Sequence, residues 1–132
     1  MKRLYFILNV IVPLVIGATI YYLFYPDTLF VRFLDRIIGI SNHVPMIIDD
    51  FVLMIIRNYL LDILWAYSLM SLTLLLFGID KNTIITVFIF EWIMESVQLL
   101  PFLPGTFDIF DILVEMLANI FACIIYKRRD QT

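Results

Sequence analysis

Apolar positions run along the chain in four long stretches separated by short polar breaks. The first, Leu4 to Phe24, is 21 residues without a charge. About 20 apolar residues at 1.5 Å rise each cross a hydrocarbon core of roughly 30 Å. A secretory signal also opens on basic residues, here Lys2 and Arg3, but its apolar core is shorter and ends in small residues. This run instead ends in Tyr21, Tyr22, Phe24 and Tyr25, aromatics of the kind that anchor a span at the interface. It reads as an uncleaved transmembrane helix, stopped at Pro26-Asp27 because Pro cannot continue it.

From Thr28 to Ile38 the apolar residues Leu29, Phe30, Phe33, Leu34, Ile37 and Ile38 form one helical stripe opposite Arg32, Asp35 and Arg36. That stretch is too short to span, so it predicts an amphipathic helix lying in the interface plane, with Gly39 as its stop. Ser41 to Asp50 reads as a polar connection, and Phe51 to Leu61 as a second short helix or an extension of the next span. Three more spans follow at about 62–79, 83–100 and 107–126. Gly78 to Asn82 forms a turn between the first two of these, and Pro101 to Gly105 breaks the chain before the last.

Composition agrees. The chain of 132 residues is 63% apolar and 16% charged, against about 45–50% and about 25% in soluble domains. Mean hydropathy is +0.99. The net charge of -3 leaves no basic face for nucleic acid, and a single Cys forms no internal disulfide. The expected architecture is an all-α membrane protein, one domain over 1–132, with four transmembrane helices in the lipid bilayer and 26–61 as an interfacial and extracytoplasmic segment. Lys2, Arg3, Lys81, Lys127, Arg128 and Arg129, six of the nine basic residues, fall on one side of this topology. By the positive-inside rule that side, with both termini, is cytoplasmic.

The spans carry carboxylates, and these are collected. At about 100° per residue, Glu91, Glu95 and Gln98 fall within about 60° on the third span. Asp108, Asp111, Glu115 and Asn119 fall within about 80° on the fourth. The short Pro101–Thr106 loop makes these two spans antiparallel neighbours. Glu95 and Glu115 then lie on the order of 9 and 13 Å below the outer ends, with Asp108 and Asp111 at the rim. The pattern predicts a cavity open to the outside and lined with carboxylates. A charge at mid-span costs roughly 2.5–3.5 kcal/mol on insertion scales, whereas an interhelical hydrogen bond returns about 0.6 kcal/mol. Structural hydrogen bonding alone does not account for the collection.

So many carboxylates stay ionised together only beside a cation; otherwise some hold protons. Candidate cations are a divalent metal ion on Asp108, Asp111 and Glu95, or the guanidinium of Arg57, which precedes the second span beside Asp62. His43 reads as a solvated loop residue and Cys123 as a small buried apolar group. Trp65 and Trp92 suit packing or interface positions, and Ala118 with Ala122 permits close helix approach. A Ser or Cys nucleophile with a nearby His, a Gly-rich phosphate loop and a His-based metal motif are all absent.

Glu95-Ser96-Val97-Gln98, then Asp108-Ile109-Phe110-Asp111, then Asn119 resemble the VanZ-like family, small bacterial membrane proteins named after a teicoplanin-resistance accessory protein. That family's pattern is Glu-x-x-Gln on one span, a short loop usually carrying Arg, then Asp-x-x-Asp and a late Asn-x-x-Gly. Two features depart from it: the loop from Leu99 to Phe107 has no Arg, and Ala122 stands three after Asn119 where the pattern has Gly. Either the missing charge comes from elsewhere, with Arg57 the residue placed to supply it, or this chain lacks it. The resemblance covers mainly 57–126 and implies a role in envelope lipid handling or in susceptibility to lipophilic or glycopeptide antibiotics. It implies no particular reaction.

Three functions compete. In the first, Glu95, Gln98, Asp108 and Asp111 form a site for an envelope lipid or lipoglycopeptide, by acid–base work or by holding a cation, with Arg57, Asp62, Glu91, Glu115 and Asn119 in support. In the second, the acidic face docks a basic membrane protein partner, as an accessory or immunity-type subunit. In the third, the carboxylates conduct protons or cations. This needs polar groups down to the cytoplasmic side, where the fourth span offers only Cys123 below Asn119 and the third only Thr86 and Thr83 below Glu91.

Overall fold

The computed structural model describes residues 2–39, 55, 59–98 and 108–130. Among them, all regular structure is helical. Helix α1, Lys2–Phe24, fills the first expected span. One turn of it, Ile7–Ile11, is widened to π geometry, with the Val12 N–H donating to the Ile7 carbonyl. Pro13 is the cause. It has no N–H to give the Asn9 carbonyl, and its ring presses on that carbonyl, so the turn before it takes an extra residue.

Helix α2, Leu29–Ile38, is the expected amphipathic element. Gly39 ends it in the left-handed conformation (φ 71°, ψ 17°), donating its N–H to the Asp35 carbonyl at 2.8 Å. The Tyr22 hydroxyl donates to Asp35 Oδ1 at 2.6 Å and ties α2 back to α1. Arg32 and Asp27 pair at 2.9 Å, both largely exposed, and such a pair contributes little. The polar connection expected over 41–50 and most of 51–61, with Arg57, lie outside the described residues.

Helices α3, Leu61–Phe77, and α4, Lys81–Val97, have 17 residues each. The turn between them falls where Gly78 to Asn82 predicts it: Gly78 takes φ 83°, and Asp80 caps α4 by accepting from the Asn82 N–H at 3.0 Å. Helix α5, Ile109–Asp130, completes the chain. Among the described residues, α1 and α5 are long and apolar enough to cross a membrane, and α3 is a shorter apolar helix.

Packing centres on α3, which lies most extensively against α5 and next against α1. Ala66, Ser68 and Ser71 of α3 and Ala118 and Ala122 of α5 are all buried, and small residues let backbones approach closely. Met70, Leu74, Val87, Ala122, Tyr5 and Tyr126 form the core at the end where the chain termini meet. Helix α4 does touch α5, as its short connection requires, but less closely than α3 does. A loop constrains only helix ends; the small-residue seam decides which neighbour is closest.

The surface is apolar. Ile89, Trp92, Ile93, Leu117, Ile120 and Phe121 are each half exposed or more. Soluble monomers rarely show contiguous apolar surface on this scale, which hydrocarbon accepts and water does not.

Candidate functional site

Three helices bring carboxyls to one end of the bundle. Asp62 stands in the first turn of α3 and Asp111 in the first turn of α5. Glu95 sits near the end of α4. Because α3 and α5 run the same way and α4 runs against them, these positions coincide in depth. Asp62 is within electrostatic range of Asp111 and Glu95, and Glu115 is within range of Glu91, Glu95, Asp62 and Asp111. The acidic faces expected on the third and fourth spans are therefore one face, and Asp62 joins them from α3.

Each member has a distinct setting. Glu95 is 5% exposed. Its Oε1 accepts from Gln98 Nε2 at 2.9 Å, while its buried Oε2 has no partner. Glu-x-x-Gln is thus a local clamp, since residues three apart share a helix face. Asp108 Oδ1 accepts from the Phe110 N–H at 3.0 Å, satisfying one of the free N–H groups that open α5. The Tyr59 hydroxyl lies beside the same side chain. Asp108 therefore shapes the start of α5, and Asp111, one turn on, is left facing the cluster.

Deeper down, Glu91 and Asn119 meet. Asn119 Nδ2 donates to Glu91 Oε2 at 2.5 Å, with Asn119 fully buried and Glu91 3% exposed. Glu91 Oε1 and Asn119 Oδ1 are buried without a partner. Glu91 and Glu115 also line a cavity of about 420 Å³ between α4 and α5. A second cavity, of about 610 Å³, lies between α1 and α3 and reaches Asp62 past Tyr21 and Tyr25.

Of the three residues expected to hold a divalent ion, Asp111 lies near both Asp108 and Glu95. Among the described residues, however, no three acidic, His or Cys side chains converge as metal ligands would. Arg57, the expected counter-charge, lies outside the described residues.

Polar residues in the other half of the bundle went unnoticed in the sequence. Asn9 accepts from the Tyr67 hydroxyl and donates through Nδ2 to the Tyr5 carbonyl at 3.0 Å. Ser71 faces both the Tyr5 and Tyr67 phenols. Arg129 stacks over the Tyr5 and Tyr126 rings at 4.7 and 4.5 Å. Uncharged Asn and Ser hardly dent an apolar window, so hydropathy passes over them. Pro13, one turn beyond Asn9, was the available signal. Compared with known protein families, curated proteins and solved structures, the chain matches none.

Proposed function

We propose that this is a four-span membrane protein of the VanZ-like kind, with both termini cytoplasmic. Its acidic cluster opens outward and acts at the outer leaflet on the polar group of an envelope lipid or lipoglycopeptide. The observation that carries this reading is the gathering of Asp62, Glu95, Asp111 and Glu115 from three helices at one end of the bundle. Lys2, Arg3, Lys81, Lys127, Arg128 and Arg129, six of the nine basic residues, belong to the opposite end, where Arg129 reaches Tyr5 near the N-terminus. Carboxyls brought together inside an apolar bundle favour a ligand that supplies positive charge or hydrogen-bond donors. In this reading Glu95 and Asp111 face the ligand, Gln98 orients Glu95, and Asp108 sets the start of α5.

Lipid-resolved mass spectrometry of the full chain in mild detergent tests it. Wild type retains an envelope lipid, and Glu95→Gln and Asp111→Asn lose it while keeping their membrane level. A wild type without such a lipid sinks the reading.

Proton conduction is a second reading, favoured by the polar groups of α1 and α3. Ser68 and Ser71 are buried, and with Asn9 and Tyr67 they add polar groups toward the cytoplasmic end to the few that α4 and α5 offer there. Proton uptake into liposomes under an imposed potential tests it; flux lost in Glu91→Gln supports conduction, and wild-type flux no faster than in empty liposomes excludes it.

A further inference from the structure

The cavity between α4 and α5 is a groove in the side of the bundle that shares Glu115 with the acidic cluster but opens sideways between the two helices. Its walls are Phe88, Ile89, Trp92, Ile93, Ile112 and Met116, and its floor is Glu91 and Glu115. Ile89, Trp92, Ile93 and Met116 are well exposed, while the two carboxyls are 3% and 4% exposed. The groove is thus open toward the hydrocarbon and acidic only at its base.

Three observations select an occupant. First, Glu91 lines the groove, and its buried Oε1 has no partner, although Oε2 of the same carboxyl is held by Asn119. Second, the lining contains two acidic and no basic side chains, so the positive charge must come from outside. Third, the remaining walls are apolar and include Trp92 and Phe88, whose ring faces attract cations. A bare metal ion is poorly served, because among the described residues no three ligating side chains converge. A neutral acyl chain would fill the walls and leave the floor unmatched. At about 420 Å³ the groove falls within the usual size of small-molecule sites.

We propose that this groove binds a membrane-dissolved organic cation, an amine or onium group on an apolar body, entering sideways from the bilayer with its charge on Glu91 and Glu115. The proposal rests on the membrane reading above but not on the outward cluster as a lipid site.

The test uses the full chain in phosphatidylcholine nanodiscs and labelled tetraphenylphosphonium, with neutral triphenylphosphine oxide as the uncharged counterpart. Wild type binds the phosphonium saturably, at least about tenfold more tightly than the oxide. The double variant Glu91→Gln/Glu115→Gln weakens phosphonium binding about tenfold or more and leaves oxide binding alone. Ile89→Trp, which fills the open side and keeps both carboxyls, weakens binding of both probes; it decides the matter if the double variant does not fold. Asp108→Asn, at the outward end, leaves phosphonium binding intact even if it abolishes lipid retention there. The proposal is overturned if phosphonium and oxide bind alike, if Ile89→Trp binds as wild type does, or if Asp108→Asn alone abolishes phosphonium binding.

Discussion

Asn119 is fully buried and spends its amide on a carboxyl that is itself buried. Replacing it with Leu removes the donor and leaves Glu91 with two unmatched oxygens in an apolar setting. An average interhelical hydrogen bond in a membrane protein is worth about 0.6 kcal/mol, whereas stranding a buried polar group costs about 1–3 kcal/mol. We expect Asn119→Leu to fall in the larger range, read as a drop in unfolding midpoint in detergent. A loss near the smaller figure would mean that Glu91 finds another donor. Tyr67→Phe removes only the hydroxyl that Asn9 accepts, and Asn9 keeps its bond to the Tyr5 carbonyl. Its loss should stay below about 1.7 kcal/mol, the top of the measured range for such bonds.

The two turns and the first helix make separate predictions at the level of elements. Gly78 stands at φ 83° and ψ 175°, a region essentially closed to residues with a Cβ, so Gly78→Ala costs about 1–3 kcal/mol. Gly39 stands at φ 71° and ψ 17°, where Asn is tolerated. Gly39→Asn is therefore expected to cost clearly less in the same thermal assay. In α1, Pro13→Ala restores the missing N–H and removes the reason for the wide turn. The helix then closes to regular α geometry, and Asn9 turns away from Tyr67. A double-mutant cycle of Pro13→Ala with Tyr67→Phe should be non-additive by more than about 0.5 kcal/mol; additive losses would separate the π turn from the Asn9–Tyr67 contact.

For the whole molecule the decisive measurement is topology. In a Cys123→Ser background, Asp27→Cys should react with an impermeant maleimide from outside intact cells, and Asn82→Cys only after the membrane is opened. The reverse pattern would turn the acidic cluster to the cytoplasm and remove the outer-leaflet role. Much of the architecture at this scale was legible beforehand. The helical ranges follow the apolar runs, Pro26 and Gly78 end helices where their chemistry demands, and the stripe from Leu29 to Ile38 is a helix closed by Gly39. Helical periodicity also placed Glu91 with Glu95 and Asp111 with Glu115 on shared faces, because a face is a property of one helix.

What the chain could not declare was the partner of each face. The sequence by itself determined an all-helical chain with apolar runs and collected carboxylates, since both depend on residues near each other along one helix. Only the tertiary structure decided that α5 rests chiefly on α3, that Asp62 joins the acidic cluster, and that Asn119 meets Glu91. It also decided that Asn9 and Tyr67 meet across 58 positions. Those pairings come from the fit of small residues between helices, and that fit depends on the two surfaces together rather than on either helix alone.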